Sequence, residues 1–258
     1  MILSKGKGPI LIPMNPIDSI ALIVAGGKGS RMNSDRKKQY MDLGNKSVLS
    51  QTLAVFARNS HIREIVLVVP EEDMEYCTRD ILAFFEGSKP LHLVAGGQSR
   101  QDSVFNGLRT IARDAKNPAR TMVLIHDGVR PFVSDELIGS CLKKAVEKGA
   151  CIPVIELVDT IKEGDLDPYL EGSIIKTIDR SRFYRVQTPQ VFRLDLILQA
   201  FDHARTSGFT GTDDASVMEH AGFPVHAVRG SQFNIKITTR EDLAFANFLL
   251  ETNFTDKI

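Results

Sequence analysis

Apolar residues fall along this chain in two alternating rhythms. Unbroken aliphatic runs occupy 20–24 (Ile-Ala-Leu-Ile-Val), 65–69 (Ile-Val-Leu-Val-Val) and 122–125 (Met-Val-Leu-Ile). A strand with one wet face alternates apolar and polar residues, whereas a strand covered on both faces does not, so these runs predict central strands of a buried sheet. Between and beyond them, segments 48–59, 74–85, 103–114 and 137–147 place apolar residues at three- and four-residue intervals. That spacing gathers them on one face of a helix. Strands and helices taken in turn are βαβ units, and the fold class they predict is α/β: a single Rossmann-like domain with a mostly parallel central sheet and helices on both faces. A last helix opens near Thr239, where Asp242 three residues on is close to a capping box ahead of Leu243, Ala246, Phe248 and Leu249.

One stretch breaks the rhythm. Residues 157–188 are rich in β-branched side chains, are punctuated by Gly164 and Gly172, and carry no helical stripe, which predicts a β-arm protruding from the main sheet. Such an excursion buries little of its own surface, and excursions of this length tend to be functional or to reach a partner. At the other end, Pro9, Pro13 and Pro16 interrupt the apolar residues of the first eighteen positions. Neither a signal segment nor a spanning helix fits there, so the expectation is a loose extension over 1–18 and one domain over 19–258.

Charge and cysteine usage narrow the partners. The 258 residues hold 32 basic and 32 acidic side chains, so no global field draws the protein to nucleic acid or to an anionic membrane, and an anion site has to be built locally. Cys77, Cys141 and Cys151 are odd in number and widely spaced, with no C-x-x-C pair. They read as apolar fillers in a reducing compartment, and the expected location is cytoplasmic.

That local anion site opens the fold. The first strand runs into Ala25-Gly26-Gly27-Lys28-Gly29-Ser30-Arg31-Met32, where Gly26, Gly27 and Gly29 let backbone N–H groups approach phosphate oxygens. No Gly-Lys-Ser/Thr closes the loop, and Met32 stands where a dinucleotide fingerprint has its third glycine, so kinase and dehydrogenase readings weaken. Glycines that merely pack a helix on a strand would look the same. Arg31 and Lys38, with Lys37 nearby, shift the balance toward a bound triphosphate; Arg36 reads as a solvated charge. Asp127 closes another aliphatic run, at the strand end where open α/β sheets place ligands, and a carboxylate there suits Mg²⁺ shared with phosphate oxygens, or else a cap on the next loop. His126 beside it reads as a packing residue.

The strand, this loop and Lys38-Gln39-Tyr40 resemble nucleotidyltransferases that activate sugar phosphates, and the Lys-Gln-Tyr form is similar to the methylerythritol phosphate cytidylyltransferases. Further matches run from Gly96-Gly97-Gln98-Ser99-Arg100 through His126-Asp127-Gly128-Val129-Arg130-Pro131, Asp159-Thr160, Asp179-Arg180, Gln187-Thr188-Pro189-Gln190 and Thr212-Asp213-Asp214-Ala215-Ser216 to Asn234-Ile235-Lys236. Lys37 stands where that family usually has proline, and Gln232 or Phe233 where some members carry an acidic residue. The resemblance implies cytidylyl transfer from CTP to a polyol phosphate, with Mg²⁺. Arg31, Lys38 and Lys236 then act on the phosphates and Ala25, Gly26, Gly97 and Ser103 wall the cytosine. Thr160, Arg180, Thr188 and Thr212 hold the acceptor, and Arg100 supports from behind. It also implies a homodimer whose arms cross so that each site is shared. A ribitol phosphate cytidylyltransferase, a uridylyl- or guanylyltransferase, and a non-enzymatic nucleotide-binding module remain the alternatives at this point.

Overall fold

The computed structural model describes residues 17–26 and 36–252. Residues 1–16 of the expected extension lie outside them, as do Gly27, Gly29 and Arg31. The first half runs β1 (Asp18–Val24), β2 (Asp42–Leu43), β3 (Lys46–Ser47), α1 (Val48–Arg58), β4 (Glu64–Val69), the single turn α2 (Met74–Tyr76), β5 (Leu91–Ala95), α3 (Arg100–Asp114) and β6 (Thr121–Asp127). The second half runs α4 (Asp135–Lys148), β7 (Ala150–Glu156), β8 (Ile161–Leu166), β9 (Gly172–Ile178), β10 (Tyr184–Val186), β11 (Gln190–Arg193), α5 (Leu194–Ser207), α6 (Asp214–His220), β12 (His226–Arg229) and α7 (Arg240–Thr252).

The aliphatic runs are the central strands. β5, β4, β1 and β6 lie side by side and parallel, and successive residues of each run go to opposite faces. Ala21, Ile23, Ile65, Leu67 and Leu124 meet α1 and α4 on one side. Ile20, Leu22, Val66, Val68, Val123 and Ile125 meet α3, α5 and α6 on the other. The absence of alternation in the sequence is thus two cores sharing one sheet. β11 enters antiparallel between β6 and β7. Cys151 of β7 pairs with Val191 and with His226, and Val154 with Val186 and with Arg229. β10 and β11 therefore share one edge of β7, joined through the cis Thr188–Pro189 peptide, and β12 takes the opposite edge.

Two boundaries carry information. The expected helix over 74–85 is broken into α2, a π-turn at Cys77–Ile81 and a 3₁₀ turn at Leu82–Phe84. Its start is pinned from outside: the Tyr40 hydroxyl donates to Asp73 Oδ2 (2.9 Å) and lies 3.3 Å from Cys77 Sγ, while Lys37 Nζ holds both Asp73 oxygens at 2.8 Å. Buried Cys77 and Ile81 keep their apolar spacing while the hydrogen-bond ladder slips by one residue. The expected capping box at Thr239 forms, with Asp242 Oδ2 accepting from Thr239 N (2.9 Å) and Thr239 Oγ1 accepting from Asp242 N (3.2 Å).

The β-arm is present as a separate two-stranded sheet, β8 against β9, with a register shift at Glu163/Gly164. Its turn is held by Asp167 Oδ1, which accepts from Tyr169 N and Glu171 N. Along the arm and its return, Val158, Tyr169, Leu170, Ile174, Ile175, Phe183 and Tyr184 are all exposed.

Candidate active site

A cleft of about 780 Å³ opens over the carboxyl ends of β1, β5 and β6. Its floor is Val24, Ala25 and Gly26, where β1 stops, and Asp127, where β6 stops. Lys38 stands on the rim at the start of a 3₁₀ turn (Lys38–Tyr40), whose next residue, Gln39, donates from Nε2 to Ala25 O (2.8 Å) and so fastens the turn to the floor. Lys236 reaches the same space from the far end of the chain. Lys38, Lys236, Asp127, Ala25, Gly26, Gly97 and Ser103, which sequence reasoning selected from five separate segments, all line this one cleft.

The opposite wall is the N-terminus of α3. Ser99 caps it: its Oγ accepts from Asp102 N (3.0 Å), and Asp102 Oδ2 accepts in return from Ser99 N (3.2 Å). Ser103 works one turn in, donating to Ser99 O (2.9 Å) and accepting from Gly97 N (3.1 Å). Gly97 approaches that turn so closely that a Cβ would lie 2.3 Å from the Asp102 Cβ, which leaves no room for a side chain. A capped helix start presenting free N–H groups and partial positive charge is a site for an anion or for the acceptor edge of a base.

Charge converges on Asp127. The carboxylate is 7% exposed, and its Oδ2 lies 3.0 Å from Lys236 Nζ and 3.1 Å from Arg130 Nε, with Arg100 Nε 3.7 Å from Oδ1. Burial by itself would raise its pKa, yet Lys236, Arg100 and Arg130 together hold it well below the usual carboxylate range. Arg100 also grips buried Asp214 through two bonds of 3.0 and 2.8 Å. Burial works against the Arg100 charge, but these carboxylates outweigh it and keep the guanidinium protonated. Among the described residues no group of three or more His, Cys, Asp or Glu side chains could hold a metal ion. With three cations around one carboxylate, Asp127 is an anchor for basic side chains.

His126 is a packing residue, fully buried, with its ring 4.9 Å from that of Phe56 and both nitrogens within 3.0 Å of polar partners. Burial pushes its pKa down to about 4, so it is neutral at physiological pH. Arg36 is exposed and pairs with Asp42.

The four acceptor residues are spread more widely. Thr160 and Arg180 are exposed on the arm, where an Arg180 Nη1 donates to Val158 O. Thr212 is exposed just before α6. Its loop is fixed to α3 by Gln101, which donates to Phe209 O (3.1 Å) and accepts from Gly211 N (2.9 Å). Thr188 lies behind the cleft, 5% exposed, its hydroxyl 3.1 Å from Asp127 N and 3.0 Å from His126 Nδ1. Sequence reading gave no role to Gln101, Arg130, Gln187, Gln190, Asp214 or Asn234. Each stands in or beside one of the quoted motifs, and that adjacency was the available signal.

A cleft that gathers cations over a helix start suits a polyphosphate whose charge must be held while a group is transferred. Fold and cleft thus define a nucleotidyltransferase. The chain belongs to the 2-C-methyl-D-erythritol 4-phosphate cytidylyltransferase family, whose profile matches residues 19–252. Family members of that name from Geobacillus kaustophilus and Alkaliphilus oremlandii are 42% and 40% identical to it, over 92% and 90% of this chain and 98% and 94% of their own lengths. The crystal structure of 4-diphosphocytidyl-2C-methyl-D-erythritol synthase from Anaerococcus prevotii is 33% identical, with a TM-score of 0.75, covering 92% of this chain and all of that one. The corresponding Francisella tularensis structure is 29% identical, with a TM-score of 0.75, over 90% and 99%.

Proposed function

We propose that cytidylyl transfer takes place in this cleft. A phosphate oxygen of 2-C-methyl-D-erythritol 4-phosphate attacks the α-phosphorus of CTP, the α–β bridging bond breaks, and pyrophosphate leaves with the electron pair. The observation that carries this reading is the convergence of Lys38, Lys236 and the capped start of α3 on one 780 Å³ space. The triphosphate lies across Lys38 and Lys236, with Arg31 of the preceding loop completing the charge. The cytosine stands against Ala25, Gly26, Gly97 and Ser103, and the glycine backbone at Gly27 and Gly29 meets phosphate oxygens. Mg²⁺ would arrive with CTP, and the Asp127 carboxylate would share it with phosphate oxygens and water. Asp127 then aims Lys236, and no covalent nucleophile is required.

The acceptor side is built by Thr160, Arg180 and Thr212, with a guanidinium for the phosphate and hydroxyls for the polyol. Thr160 and Arg180 belong to an arm whose apolar side chains are exposed in a single chain, which supports a homodimer in which each arm completes the partner's site. No helix among the described residues is long and apolar enough to cross a membrane. The balanced charge and three free buried cysteines support a cytoplasmic enzyme with no nucleic-acid partner.

Lys38→Ala and Lys236→Ala test the assignment. Each removes one preorganised charge from the developing pyrophosphate, so kcat should fall about 10²-fold or more at saturating CTP. Retention of wild-type kcat by both variants would place the triphosphate elsewhere.

A further inference from the structure

Behind Asp127, polar groups from three separate segments close into one ring. The Asp127 N–H donates to Thr188 Oγ1 (3.1 Å), that hydroxyl lies 3.0 Å from His126 Nδ1, and His126 Nε2 lies 3.0 Å from Arg130 O. A carbonyl oxygen only accepts, so Nε2 carries the imidazole proton, Nδ1 is the acceptor, and the Thr188 hydroxyl donates to it. From the other side, Arg130 donates through Nε to Asp127 Oδ2 (3.1 Å) and through Nη1 to Asn234 O (2.9 Å). Asn234 Nδ2 donates to Thr188 O (2.7 Å) and completes the circuit. His126, Arg130, Thr188 and Asn234 are all nine-tenths or more buried, and none of them lines the cleft.

We infer that Thr188, His126, Arg130 and Asn234 are positioning residues that preset the Asp127–Lys236 pair, with the Thr188 hydroxyl acting from behind Asp127 instead of touching the acceptor. Lys236 is a half-exposed side chain on a flexible stem, and one ion pair directs it only if the carboxylate and the Lys236 backbone are themselves fixed. The ring fixes both. Thr188 holds the Asp127 backbone, Arg130 holds its carboxylate, and Arg130 with Asn234 holds the loop in which Lys236 stands two residues further on. Gln187 adds to the same loop, donating to Ser231 O (2.7 Å) and accepting from Ser231 N (3.1 Å). Apart from Asn234 Oδ1, which is buried without a partner, these side-chain groups are matched, and a buried network so connected is rigid.

The inference rests on the proposed role of Lys236, and a double-mutant cycle separates the two. Thr188→Val keeps the side-chain shape without the hydroxyl, and Thr188→Ser keeps the hydroxyl. With Lys236 displaced by even 1 Å, the Val variant should lose about 10- to 100-fold in kcat while KM for CTP and for the acceptor stay within about threefold; the Ser variant should recover most of the loss. In the Lys236→Ala background the same Val substitution should cost almost nothing more, because the group it positions is gone. Multiplicative losses, or a raised acceptor KM at unchanged kcat, would overturn the inference while leaving the role of Lys236 intact. Wild-type kcat in Lys236→Ala alone would overturn that role first. Should Thr188→Val fail to fold by circular dichroism, Arg130→Lys takes its place in the cycle, since an ammonium lacks the rigid planar fork that holds Asp127 Oδ2 and Asn234 O together.

Discussion

At the scale of single residues, the side chains that were legible in the sequence are those whose chemistry shows without a partner. Lys38 after a glycine turn and Asp127 at a strand end each allow a charged site, although Asp127 reads equally well as a loop cap, and Lys236 entered only through the family resemblance. Thr188 was not legible in the same way. A threonine in an extended run is an ordinary β-former, and only the placement of His126, sixty-two residues away, shows that its hydroxyl is already committed. His126 itself offers a test by titration. Its pKa falls from an ordinary 6.5 to about 4 on burial, so between those values the unfolded chain binds the proton and the folded chain does not. Stability should therefore be whole above pH 6.5 and decline as pH drops toward 4, with a total effect of about 3 kcal/mol. His126→Gln removes the titrating group, and urea unfolding from pH 7 to 4.5 should show a shallower decline in the variant. Parallel profiles would mean that the imidazole is not held neutral by the fold.

At the scale of elements, strands and helices were legible wherever local periodicity and burial agree, as in β1, β4, β6, α1, α3 and α4. The segment at 71–85 shows where that agreement ends. Its apolar spacing is helical, but the contacts that set its path come from Lys37 and Tyr40, more than thirty residues earlier, and pins at that distance override propensity. The start of α3 is the element that the proposal places against the nucleotide. Ser103→Ala would leave the helix in place while releasing Gly97 N from the Ser103 hydroxyl (3.1 Å). One lost hydrogen bond at the base wall is worth about 1 kcal/mol, so KM for CTP should rise roughly fivefold with kcat little changed. An unchanged KM would mean that the nucleotide does not lie against this wall. Gln101 makes the complementary case, because its two bonds tie the Thr212 loop to the same helix. Gln101→Ala should raise KM for the acceptor several-fold and spare KM for CTP, which initial-rate measurements with each substrate varied would resolve.

At the scale of the whole molecule, the sheet order places the cleft and the arm together. β11 runs back between β6 and β7, and the same stretch of chain that leaves the arm passes behind Asp127. The arm was legible as an excursion from its lost helical stripe and its glycines, whereas the shared site proposed for it requires a second chain. If arms cross, a site combines Asp127 of one chain with Arg180 of the other. Asp127→Ala and Arg180→Ala chains, each nearly inactive, should then regain about a quarter of wild-type activity when unfolded and refolded together, since about half the dimers are mixed and each has one intact site of two. No recovery in mixed dimers confirmed by mass would leave the arm a clasp with no part in the site. The central claim, that this cleft joins CTP to one particular polyol phosphate, is tested most directly by following pyrophosphate release from a panel of nucleotides and acceptors. Turnover should require CTP, Mg²⁺ and 2-C-methyl-D-erythritol 4-phosphate together; equal rates with ribitol 5-phosphate, or a preference for UTP or GTP, would contradict it.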